Sequence, residues 1–173
     1  MKTVLFLPTQ GPHLPREGPA EQFDWRVQCR LAAALQKGLP NAVVYVPSAF
    51  HQEGARPEIE YYGDQLRAEG ISDQGLLLEA RGFETIEQCE LAVDLAEQEG
   101  ARLVVISCHG HFKRVCYLLK GRAVEHVIAW GAPNRWLHFT HLVLTVAFPI
   151  IDVLRLRGWW KRTVVKRRLQ GEQ

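Results

Sequence analysis

Short apolar runs alternate with helical patterns along most of this chain, and that alternation constrains the fold more than any other feature. Thr3–Leu7 is an apolar run ended by Pro8, and a loop rich in Pro and Gly occupies residues 8–20. Gln22–Lys37 has helical spacing, with Phe23, Val27, Leu31, Ala34 and Leu35 on one face, and Gly38 and Pro40 stop it. Ala42–Val46 reads as a second strand and Ser48–Arg56 as a loop. Pro57 opens a helix that runs to about Glu69 and ends at Gly70. Gly75–Leu78 is a third strand, leading to Glu79. Thr85–Glu99 is an amphipathic helix closed by Gly100; Thr85 and Gln88 have the spacing of a capping box. Leu103–Ser107, His111–Lys120 and His126–Trp130 complete the pattern as strand, helix and strand. Strands that alternate with helices predict a mainly parallel five-stranded sheet covered on both faces, in a three-layer α/β/α Rossmann-like sandwich.

The 173 residues, 47% hydrophobic and 23% charged, suffice for one compact domain with a real core. Charge is uneven. Residues 155–173 hold seven of the 21 Lys and Arg but only one of the 19 acidic residues, Glu172. The remainder holds 14 basic against 18 acidic residues, a net of −4. An acidic body argues against nucleic acid as a partner. Cys29, Cys89, Cys108 and Cys116 show neither metal spacing nor a secreted framework, which points to a reducing, cytoplasmic setting. The N-terminal apolar run is too short for a signal peptide and reads better as a strand.

Polar residues crowd one junction. Ser107, Cys108, His109, His111 and Arg114 follow the fourth strand, and ligands of α/β proteins sit at carboxyl ends of strands. His111 and Arg114 are three apart on one helix and share a face. Near a helix N-terminus such a pair suits a phosphate or carboxylate. With the strand order 3-2-1-4-5, the loop after the first strand faces this junction and brings Gln10 and His13 toward His109 and His111. A metal reading would draw on His109, His111 and Glu79 or Glu84; a two-His pair without a longer motif does not favour metal. A thiol nucleophile at Cys108 lacks a visible third member, and Ser107 lacks a nucleophile elbow. Glu84 and Glu87 complement the dipole of the helix they open, and Arg81 is a natural ion partner for Glu79.

Two segments carry a family resemblance. Glu79-Ala-Arg-Gly-Phe-Glu-Thr85-Ile-Glu87-Gln88 resembles the motif E-x-x-S-x-x-T-x-E-N, and Ser107-Cys-His-Gly-His111-Phe-Lys-Arg114-Val resembles T-S-x-x-H-x-x-R-A. In this order they look like the YdcF/SanA/ElyC-like family, also called domain of unknown function 218. Glu58 and Gly70 fit that family's intervening helix and turn, and the resemblance spans most of residues 1–130. It implies a Rossmann-like fold without an established activity; some members are linked to the bacterial envelope, and many carry membrane helices. It also implies that Glu79, Thr85, Glu87, His111 and Arg114 line a pocket, with Ser107 in place of the family Thr and Gln88 in place of its Asn. The chain departs at Leu7-Pro-Thr-Gln-Gly11 and Val46-Pro-Ser-Ala-Phe50, where the family has glycine-rich turns. Gly82 replaces the family Ser, and Cys108 its second Ser. Loss of those glycines disfavours close backbone approach to a pyrophosphate.

The expected function is binding of an anionic or nucleotide-like small molecule; an adenosine-containing ligand such as S-adenosylmethionine fits such a crevice. His111 would orient the ligand or exchange a proton, Arg114 would hold negative charge, and Glu79 or Glu87 would bind hydroxyls or act as base. A reaction would be transfer or hydrolysis at a phosphate-containing or envelope precursor. A metal-dependent hydrolase using His109 and His111 is one alternative. Another is a non-catalytic envelope-associated adaptor. Leu142–Ile151 is apolar but interrupted by Pro149 and too short to span a bilayer, so Leu137–Leu154 is expected to pack on the sheet and complete a domain of residues 1–154. Residues 155–173 form a basic tail, solvated unless Trp159 and Trp160 among its cations hold it at the inner face of a membrane.

Overall fold

The apolar runs do pair, and they pair in parallel. The computed structural model describes residues 1–9, 24–50, 56–130 and 135–170. In chain order the elements are β1 (Thr3–Phe6), α1 (Asp24–Lys37), β2 (Ala42–Pro47), α2 (Glu58–Ala68), β3 (Leu76–Glu79), α3 (Thr85–Gln98), β4 (Arg102–Cys108), α4 (His109–Leu118), β5 (Val124–Ala129), α5 (Arg135–Val153) and α6 (Arg157–Gln170). The sheet order is β3-β2-β1-β4-β5, as expected, and all four pairings are parallel.

Strand alternation divides the core into two layers. Leu5, Val44, Val46, Val104 and Ile106 face α1 and α2, packing on Trp25, Cys29, Ala32, Ala33, Tyr62 and Leu66. Val4, Phe6, Tyr45, Leu103 and Val105 face α3 and α4, packing on Cys89, Ala92, Val93, Ala96, Val115 and Leu119. Both faces are dry, which is why the strands read as apolar runs rather than as alternating patterns. The result is the three-layer α/β/α sandwich.

β1 and β4 lie side by side, yet the chain leaves them toward opposite faces, into α1 and α4. A crevice opens at such a point. Gln28, on α1 and fully buried, ties the ends of β1 and β4 together at this point. Its Nε2 donates to the Ile106 carbonyl at 2.6 Å and the Pro8 carbonyl at 3.2 Å. Its Oε1 accepts from the Tyr62 hydroxyl at 3.3 Å and from Cys108 Sγ at 3.4 Å.

The two C-terminal helices depart from expectation. α5 packs on α4 and α6 rather than completing the sheet layer, because α3 and α4 already cover that face from β2 to β5. Residues 157–170, expected as a tail, form α6. Asp152 ties the pieces together: it accepts from Tyr117 Oη of α4 at 2.7 Å and from Arg157 Nη2 of α6 at 2.6 Å. Phe148 meets Trp160 edge-on at 5.9 Å, and Lys161 pairs with Glu90 of α3.

Gln28 supplies a test of how these strand ends are held. Gln28→Leu keeps most of the volume but leaves two buried carbonyls without that donor. It is expected to cost about 1–3 kcal/mol, read as a lower urea midpoint with an unchanged slope.

Candidate functional site

α4 begins directly after β4, so residues 109–114 stand at the carboxyl edge of the sheet. Three residues apart, His111 and Arg114 turn inward together and are 0% and 6% exposed. Thr85, the first residue of α3, meets them. His111 Nε2 lies 3.0 Å from Thr85 Oγ1, and Arg114 Nη2 donates to the same oxygen at 2.9 Å. Arg114 Nη2 also bonds His111 Nε2. A guanidinium only donates, so the tautomer that makes this bond is the one whose Nε2 accepts. Thr85 then accepts from Arg114 and donates to Nε2. The Phe148 ring of α5 backs the guanidinium at 5.8 Å.

Two further features belong to this edge. The N-cap residue of α4, Cys108, makes no side-chain cap, so its side chain takes up none of the first-turn N–H groups. Ser107 is fully buried, its alternation with Val105 places it on the α3/α4 face, and its hydroxyl has no hydrogen-bond partner among the described residues.

A second polar cluster sits at the ends of β1 and β2. Gln88 accepts from Thr9 N at 3.0 Å and donates to Thr9 Oγ1 at 2.7 Å and to the Gly82 carbonyl at 3.2 Å. Thr9 donates in turn to Ser48 Oγ at 3.4 Å, and Ser48 donates to Glu58 Oε2 at 2.7 Å. This is a directed chain, Gln88 to Thr9 to Ser48, that ends on a buried carboxylate in the first turn of α2, where the helix dipole favours negative charge. Sequence reading passed over Thr9 and Ser48. The rule that singled out the end of β4 applies equally to β1 and β2 and points to both. Gly82 makes the turn that Gln88 holds: its φ is +88°, and a Cβ there would lie 2.9 Å from Gln88 Cγ. The Ser that the resembled family carries at this position does not fit this turn.

The capping box needs correction. The N-cap of α3 is Glu84, whose Oε1 accepts from Glu87 N at 2.9 Å, and Glu87 Oε2 accepts from Phe83 N at 2.9 Å. Thr85 and Gln88, expected to cap, instead make tertiary bonds to His111 and Thr9, since burial demands partners for both. Glu87 is therefore occupied at the helix start. Glu79 bonds Tyr45 Oη and pairs with Arg81 at 2.9 Å, not with the His111 cluster. Burial first, and the bond to Glu79 second, push the Tyr45 hydroxyl well above its usual range.

His109 and His111 go different ways. His109 stacks on the largely exposed Trp130 at 4.2 Å, while His111 bonds Thr85. No group of three or more His, Cys, Asp or Glu that could hold a metal ion occurs among the described residues. Gln10 and His13 lie outside the described residues. Comparison of the chain with family models, with curated proteins and with solved structures returns no match.

Two outcomes test the turn and the cap. Gly82→Ala forces a side chain into a left-handed conformation and against Gln88, and is expected to cost about 1–3 kcal/mol in chemical unfolding. Burial raises the Glu84 carboxyl above its ordinary value, more than its bonds to backbone N–H groups lower it. The folded state then holds that proton to higher pH than the unfolded state, so this group's contribution to stability falls as pH rises through the folded pKa. Glu84→Gln is expected to remove that downward slope from a plot of unfolding free energy against pH, and an unchanged slope would assign it elsewhere.

Proposed function

We propose that this chain is a small-molecule-binding protein of the YdcF/SanA/ElyC-like kind, and that its ligand carries an anionic group, as a nucleotide or S-adenosylmethionine does. The ligand lies at the carboxyl edge of β1 and β4. One observation carries this reading: a buried Arg114–His111–Thr85 cluster stands beside the first turn of α4, at the point where the strand order reverses. A guanidinium and helix N–H groups together suit a phosphate or carboxylate oxygen. An anion that draws Arg114 toward itself takes one donor away from His111 Nε2; rotation of the Thr85 hydroxyl takes away the other, and the nitrogen can then accept a proton from a hydroxyl or water. Transfer or hydrolysis at a phosphate-bearing substrate is the chemistry this arrangement serves best.

Glu79 is the nearer candidate of the two acids for a ligand hydroxyl, because its carboxylate is bonded to side chains that can rearrange, whereas Glu87 holds a backbone N–H. The four cysteines are all free thiols, three of them buried, which supports a reducing cytoplasmic setting.

A thermal-shift series with inorganic phosphate, AMP, ADP and S-adenosylmethionine tests the proposal. A ligand at a hundred times its Kd adds about 2.7 kcal/mol, or roughly 5–10 °C in Tm for a chain of this size. Arg114→Met is expected to abolish that shift. An equal shift in the variant would move the anion away from Arg114, and no shift with any of the four compounds would sink the reading.

A further inference from the structure

Between Leu142 and Val153, α5 buries Phe148 and Ile151 on one side and leaves a second apolar face uncovered on the other. Leu142, Val143, Val146, Ile150 and Val153 are 49–83% exposed. At helical spacing these five positions fall within one arc about 100° wide. That arc holds no polar residue, whereas Asp152 turns inward to Tyr117 and Arg157. The apolar exposure continues along the chain through Leu154 and Leu156 to Trp159 of α6, which is 54% exposed. A monomer in water rarely leaves an arc of this kind uncovered.

The charge beside it selects the cover. Arg155, Arg162 and Lys166 are exposed, and Trp159, Arg162 and Lys166 share one face of α6 by their spacing. No acidic residue occurs between Asp152 and Glu172. A second copy meeting this surface across a twofold axis would set these cations against their own equivalents. An anionic lipid surface takes both parts, with apolar side chains among the acyl tails and cations at the headgroups. The arc is about 18 Å long, well short of the roughly 30 Å hydrocarbon core, so the helix lies in the interface. No helix among the described residues is long and apolar enough to cross a membrane. We infer that the exposed arc of α5, with Trp159, Arg162 and Lys166 of α6, is a docking surface for an anionic bilayer. It goes beyond the expected tail contact by placing the apolar anchor on α5.

Cosedimentation of the full chain with vesicles decides it. Binding is expected to vesicles of phosphatidylcholine with phosphatidylglycerol, to weaken with added salt, and to be far weaker with phosphatidylcholine alone. The pair Val146→Asp and Ile150→Asp, at exposed positions, and the pair Arg162→Glu and Lys166→Glu are each expected to weaken it about tenfold or more. Far-UV circular dichroism checks that each folds, and the α6 pair stands alone if the α5 pair does not. Wild-type binding by either folded variant overturns the inference. So does a wild-type chain that ignores anionic vesicles, including one that sediments as a dimer through this surface.

Discussion

The chain leaving β1 is gripped from both faces of the sheet. Gln28 reaches up from α1 to the Pro8 carbonyl, and Gln88 reaches across from α3 to the amide and hydroxyl of Thr9. A parallel sheet covered on both sides brings strand ends, with their polar backbone, into a dry layer where each group must find a partner. Two buried glutamines supply four hydrogen-bonding groups each in a small volume. They hold the central strand's exit at the point from which the crevice opens, and the positions of Ser48, Glu58 and Gly82 follow from that grip.

The other half of the edge is organised by a cation. Arg114 lies over the Phe148 ring and is bonded to Thr85 and to His111 Nε2. Because the same Phe148 ring of α5 also meets Trp160 of α6, it links the guanidinium to both C-terminal helices.

Much of this was legible in the sequence, for identifiable reasons. Strand and helix periods differ, so the alternation could be read, and the usual order assumed for such an alternation is the order found; the i, i+3 spacing of His111 and Arg114 put them on one helix face, where they meet. What could not be read depends on partners distant in sequence. Thr85 and Gln88 have the residue types and spacing of a cap, and only tertiary contacts show that Glu84 caps instead. Gln28 sits in an amphipathic helix where a polar residue reads as solvent-facing. Leu142–Val153 reads as core, because a periodic apolar face says where the side chains point and not what covers them. Here the covering of the sheet was already complete.

The central pairing of the sheet carries one more consequence, for the order in which the protein can assemble. Thr3 sits opposite Arg102, so β1 meets its second neighbour about a hundred residues after it leaves the ribosome. Until Arg102–Cys108 has been made, a strand of Thr-Val-Leu-Phe is backed by β2 on one side and open on the other. An unpaired apolar edge is a template for other chains. A pause in synthesis before β4 would therefore expose what becomes the most deeply buried strand of the finished molecule.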